Sequence, residues 1–110
     1  MNRKVKKYLF DIQSCIEEME ALAETSGNFE QLNSNSIQKR ALERLFEIIG
    51  EATRCLVAEQ KDIPISNAEK IIGMRNIIAH GYDVVNYRLL WQFWIDHVPI
   101  LKQEVDDLLG

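Results

Sequence analysis

This chain of 110 residues encodes an all-α fold, a compact antiparallel bundle of about five helices in one domain spanning residues 1–110. Three observations predict it. Apolar residues return every three or four positions through most of the chain, as helices with one buried face require. No stretch alternates apolar and polar residues with the two-residue period of a strand. Two stretches rich in Asn, Ser, Gly or Pro, "TSGNFEQLNSNS" and "KDIPISNA", separate the periodic segments as loops.

The first helix is expected over about residues 3–24, where Val5, Tyr8, Leu9, Ile12, Cys15, Ile16, Met19, Leu22 and Ala23 form one stripe. Residues 25–36 read as a loop that Phe29 and Leu32 fasten to the core, with Ser34 or Ser36 as the cap of the second helix. That second helix covers about 37–59 and buries Ile37, Ala41, Leu42, Leu45, Ile48, Ile49, Ala52 and Leu56. Phe46, Gly50, Thr53 and Val57 form a weaker seam on another side. An interior helical glycine costs up to about 1 kcal/mol relative to alanine, which the close approach of another helix at Gly50 would explain, the alternative being a glycine tolerated there without a role. Pro64 disfavours helix at Ile63. Ser66 or Asn67 then caps a third helix over about 67–80. A fourth contains "YRLLWQFWIDH", and Pro99 fits the first turn of a fifth, "PILKQEVDDLL". Tyr87, Leu90, Trp91, Phe93 and Trp94 are spaced for core or interface packing more than for base stacking.

The bulk composition narrows the function. A net charge of −4 argues against strong non-specific nucleic-acid binding, although it leaves room for a local basic site. No apolar run approaches the roughly 20 residues of a membrane span. The basic N-terminus, "MNRKVKKYLFDIQ", spaces its apolar residues unlike a signal peptide, so a cytoplasmic location is expected. Cys15 and Cys55 sit in helical apolar patterns and read as buried, reduced thiols. His80 and His97 are far apart and no metal-binding motif exists, so neither a metal nor a cofactor is expected.

The chemistry concentrates in "GMRNIIAHGYD", residues 73–83. At about 100° per residue, Ile71, Met74, Ile77 and Ile78 share the core arc. Gly73, Asn76 and His80 fall on nearly the opposite side, while Arg75 sits at the edge of the arc, roughly in line with Tyr82. Histidine is suited to proton transfer near neutral pH, and arginine grips phosphate with forked hydrogen bonds. The pair therefore suits metal-independent cleavage of RNA, in which the 2′-hydroxyl attacks the adjacent phosphate and Arg75 stabilises the charge that builds there. Arg75 and His80 are separated around the helix. Either the long Arg75 side chain bends across to His80, or a second copy of the chain, approaching at Gly73 and Gly50, supplies the missing half of a composite site. On the second helix, Glu43 and Glu47 read as a solvated, salt-bridged face, and Arg44 and Glu51 as candidates to line the cleft.

These residues resemble a known signature. "RNIIAHGY" is similar to the R-x(4–6)-H-x-Y motif of the HepT-like branch of the HEPN ribonucleases. "ALERLFEIIGEA", "IIGMRNIIAHGYD" and "LLWQFWIDHVPILKQEV" resemble three ordered blocks of that family, and "YLFDIQSCIEEME" fits its first helix. The chain departs at the connector, where Ile65 and Ser66 follow Pro64 in place of a Trp common among relatives. The resemblance implies a two-fold homodimer, a toxin of a toxin–antitoxin pair that cleaves RNA without a metal. It implies Arg75 and His80 as the catalytic pair and Asn76 as their support. It implies Tyr82 as the position that an MntA-type nucleotidyltransferase antitoxin modifies with AMP, adding charge and bulk that repel RNA. The alternative it leaves is a non-catalytic HEPN module that binds such a nucleotidyltransferase.

Overall fold

Asn2 starts the first helix: its side-chain oxygen accepts a hydrogen bond from the Val5 N–H at 2.8 Å, satisfying one of the donors that a helix start leaves unpaired. The computed structural model describes residues 1–80 and 85–110, with side chains for all of these except Ala79 and His80. Their order is α1 (Arg3–Ser26), α2 (Phe29–Asn33), α3 (Ser36–Glu59), α4 (Ala68–His80), α5 (Tyr87–Asp96) and α6 (Val98–Leu109). No strand occurs among the described residues.

Helix α1 ends at Gly27, whose φ of +85° is the left-handed region that glycine enters without penalty. The expected loop at 25–36 is therefore partly helical. Its first two residues extend α1, and α2 forms a single further turn capped by the Asn28 side chain. Phe29 and Leu32 are buried as anticipated. The cap of α3 is Asn35, which accepts from the N–H groups of Ile37 and Gln38 at 3.0 Å. Neither serine has that role: Ser34 donates to the Gln31 carbonyl and Ser36 is already helical.

Two bonds fix α1 and α3 as antiparallel. Lys4 pairs with Glu59 at one end, and Ser26 donates to Gln38 at the other. Gln38, not Ile37, thus faces α1, and Ile37 is 79% exposed instead of buried. Helix α6 also runs antiparallel to α1, with Gln13 bonded to Asp106 and Lys102 to Glu20. Val5, Leu9, Ile12, Ile16 and Met19 meet Leu42, Leu45, Ile49, Leu56, Leu101 and Val105 in one apolar core. Burying each such side chain stabilises the fold by about 1.5–3 kcal/mol before the cost of ordering it.

The weaker seam of α3 receives α4 and α5. Thr53 is fully buried there and satisfies its hydroxyl on the Ile49 carbonyl at 2.7 Å. Phe46 meets Phe93 edge-on at 5.8 Å, and Phe29 meets Trp91 at 6.2 Å, so these α5 aromatics pack inward. The connector before α4 is pinned by buried Ile63 and Ile65, and Ser66 binds Glu104 of α6 through both its N–H and its hydroxyl. Ile71, Met74 and Ile78 of α4 are buried, but Ile77 is 54% exposed, contrary to expectation. It lies about 120° from Ile71 around the helix, outside the narrow face that α3 covers. Pro99 occupies the first turn of α6. Among the described residues, no helix is long and apolar enough to cross a membrane.

Candidate active site

Arg75 sits where α4 crosses α3. A Cβ built on Gly50 would collide with the Arg75 Cβ, lie 2.9 Å from its Cγ and 3.2 Å from the Ile71 carbonyl oxygen. The close approach read from Gly50 is thus real, and its cause is the stem of the candidate catalytic arginine. This also corrects one expectation. Gly50 is filled from within the chain, so it is not a notch for a second copy. Gly73 differs: a Cβ there would meet nothing within 4 Å.

The fixed stem directs the guanidinium toward Asn76 and Glu51. Its Nη1 donates to the Asn76 side-chain oxygen at 3.1 Å, and its Nε lies 3.7 Å from a Glu51 carboxylate oxygen. Asn76 is thereby a hydrogen-bond partner of the arginine. Glu51 is held more firmly by Arg54, which donates to it from Nη2 and Nε. The Arg54 hydrogen bond, and then the charges of Arg54 and Arg75, hold the Glu51 carboxyl below its ordinary value. Because Arg54 keeps Glu51 satisfied, Arg75 can turn toward a ligand without leaving that carboxylate unpartnered. Arginine carries five N–H donors in a fixed fork, and one of Arg75's is bonded among the described residues.

Arg75 opens onto a groove of about 370 Å³ between α1, α3 and α4. Arg44 and Glu51 both line it, so the structure brings these two candidates together with Arg75. Glu47 lines it too, paired with Arg44 at 3.7 Å, while Glu43 lies toward α5 and accepts from the Tyr87 hydroxyl at 3.4 Å. Lys7, Tyr8 and Asp11 of α1 complete the wall and are not singled out by sequence reasoning. A signal for them exists: Lys7 and Asp11 are an i,i+4 pair, bonded at 2.7 Å, flanking a tyrosine on an otherwise aliphatic stripe. The Asp11 carboxylate raises the Lys7 ammonium above its ordinary value.

Cys15 and Cys55 are unpaired thiols, as expected. Burial pushes Cys15 up to about 11. Cys55 is only half-buried and lines the groove beside Glu51. Among the described residues, no three His, Cys, Asp or Glu side chains are grouped to hold a metal ion. His80 is the last residue of α4 and its side chain lies outside the described set, as does the whole of Tyr82.

Comparison with known proteins matches this sequence to one family. A family model described as "Ribonuclease HepT-like" matches residues 12–108. "Putative RNase MJ1380" of Methanocaldococcus jannaschii is 32% identical over 105 residues, covering 94% of this chain and 95% of that protein. "Probable ribonuclease HepT" of Thermococcus cleftensis is 31% identical over 109 residues, covering 98% of each chain. "Putative RNase TTE0752" of Caldanaerobacter subterraneus subsp. tengcongensis is 34% identical over 86 residues, 74% of each chain. No solved structure matches the chain.

Proposed function

The chain belongs to the HepT-like ribonuclease family and is on that ground a ribonuclease acting on RNA, and from this premise we propose that it is a metal-independent endoribonuclease toxin, working as a homodimer through Arg75 and His80. One observation supports the assignment most. Arg75 is seated on Gly50 at the mouth of a groove, oriented by Asn76, on the same helix that ends at His80. A guanidinium so placed can bond two oxygens of a phosphodiester at once. His80 takes the proton of the 2′-hydroxyl, whose oxygen attacks the adjacent phosphorus. Arg75 stabilises the charge that accumulates on the phosphoryl oxygens. The 5′-oxygen leaves with a proton from solvent, and His80 later releases its own to solvent, producing a 2′,3′-cyclic phosphate and a 5′-hydroxyl. Asn76 holds Arg75 in line for this step, and Arg44 and Glu51 border the strand.

Regulation in this reading falls on Tyr82, two residues beyond His80. An MntA-type nucleotidyltransferase antitoxin adds AMP to its hydroxyl, and the added phosphate repels RNA from Arg75's neighbourhood. One observation favours the alternative of a non-catalytic module: Lys7, Arg44 and Arg75, the cations lining the groove, are each paired with a carboxylate. Expression in cells decides between the two. Wild type is expected to arrest growth, Arg75→Ala and His80→Ala to be harmless, and the partner to raise the intact mass of wild type but not of Tyr82→Phe. Unchanged toxicity in both alanine variants would leave the module reading in its place.

A further inference from the structure

We propose that a second groove, formed by α2 and the starts of α3 and α5, is a platform for single-stranded RNA leaving the Arg75 site. The proposal rests on the ribonuclease reading and extends it to a specific substrate-binding surface. This groove is open, about 560 Å³, and lined by Phe29, Lys39, Asn86, Tyr87 and Arg88 among others. Two cations in it lie over aromatic rings. The Arg88 guanidinium carbon is 4.2 Å from the Phe29 ring centroid, and the Lys39 ammonium is 5.2 Å from that of Tyr87.

Such pairs have the chemistry of single-strand recognition, in which bases stack on aromatic rings or on guanidinium planes and cations meet the phosphates. Phe29 is buried and cannot present its own face. It serves instead as the floor on which Arg88 lies. The Arg88 side chain remains 70% exposed, so the guanidinium offers a surface to a base or a phosphate. Its carboxylate neighbour, Glu30, is 3.8 Å away and 74% exposed, a loose contact that water screens. Tyr87 is held from below by its hydroxyl bond to Glu43. Lys39 and Arg88 are the cations of the groove lining, with the carboxylates of Glu30 and Glu43 beside them.

Helix α3 connects the two grooves. Glu43 marks the platform and Glu51 marks Arg75, eight residues apart, which is about 12 Å along the axis. Glu47 lies between them and lines the Arg75 groove. A few nucleotides of extended strand cover that axial distance, so in this proposal one strand places a phosphate at Arg75 and bases at Arg88.

The test is fluorescence anisotropy with a labelled, 2′-O-methylated single-stranded RNA long enough to span both grooves. Methylation removes the attacking hydroxyl, so binding is read without cleavage. Lys39→Gln and Arg88→Gln replace exposed or half-buried side chains outside the core, and thermal melting verifies their fold. The double variant is expected to bind roughly tenfold more weakly and with a shallower dependence on salt. Equal binding by wild type and double variant overturns the proposal, as does failure of wild type to bind. The two readings fail separately. A protein that needs Lys39 and Arg88 to bind this RNA but cleaves no RNA refutes the ribonuclease mechanism alone. One that cleaves RNA and binds equally well without them refutes the platform alone.

Discussion

Gly50 of α3 lies directly beneath the stem of Arg75 of α4, with the Arg75 Cγ 2.9 Å from where a Gly50 Cβ would stand. A backbone position thus sets the place of a catalytic candidate on a different helix. The Gly50→Ala variant measures this coupling. Its extra methyl gains up to about 1 kcal/mol of helix propensity. It also forces α4 away from α3, and overpacking of this kind costs about 1–3 kcal/mol. Both the Arg75 Cβ and the Ile71 carbonyl would have to move, and neither is the free end of a side chain. The expected result is a Tm lower by about 5 °C, with RNA cleavage reduced by about 100-fold through misplacement of the guanidinium. An unchanged Tm and an unchanged rate would show that the contact does not position Arg75.

The proposed homodimer makes a separate prediction. If Arg75 of one subunit works with His80 of the other, a mixture of Arg75→Ala and His80→Ala proteins reassembles one intact site in each mixed dimer. After subunit exchange the mixture is expected to recover about a quarter of wild-type cleavage, since half the dimers are mixed and half of their sites are whole. No recovery would place both residues of the working pair in one chain.

Glu51 gives the stability a defined pH dependence. Its folded-state pKa is depressed, chiefly by the Arg54 hydrogen bond. Its contribution is therefore complete above the ordinary value of 4.5 and is lost as pH falls through the folded value below that. Glu51→Gln removes the titration. The difference in Tm between pH 7 and pH 3 is expected to be smaller in the variant than in wild type. The effect is small because the carboxylate is 42% exposed. Equal differences would show that the Arg54 and Arg75 pairing does not outlast solvent competition.

The two thiols are expected to differ in reactivity. Cys15 is 5% exposed and pushed up to about 11, so at pH 8 it stays protonated and covered. Iodoacetamide at that pH is expected to alkylate Cys55 first, as read by peptide mass. Because Cys55 lines the Arg75 groove, this single addition is expected to slow cleavage, and Cys55→Ser is expected to be resistant. Faster labelling of Cys15 would contradict the burial assigned to it.

Much of the fold is legible in the sequence alone. Periodicity locates the helices because each buries a face for most of its length, and Gly50 points to a crossing because an interior glycine is costly, which the Arg75 stem against it bears out. Periodicity misjudges Ile37 and Ile77 for a common reason. It reports that an apolar face exists, while the covering partner decides how wide the buried part is. Gln38 faces the end of α1 in place of Ile37, and on α4 the buried isoleucines and methionine are Ile71, Ile78 and Met74, with Ile77 outside their arc. The wall contributed by Lys7, Tyr8 and Asp11 is harder to read, because it depends on how α1 lies across α3, which no local pattern states. Motif spacing singles out Arg75 and its neighbour Asn76, while the sequence names Glu51 only as a cleft candidate; its contact with Arg75 comes from the crossing at Gly50.

The most direct test of the central claim is cleavage of RNA by the purified protein in excess EDTA, with analysis of the product ends. Wild type is expected to cut and to leave 2′,3′-cyclic phosphates, and His80→Ala and Arg75→Ala to be slower by at least about 100-fold. Cleavage that requires a divalent metal, or that persists in His80→Ala at the wild-type rate, would contradict an Arg75–His80 mechanism.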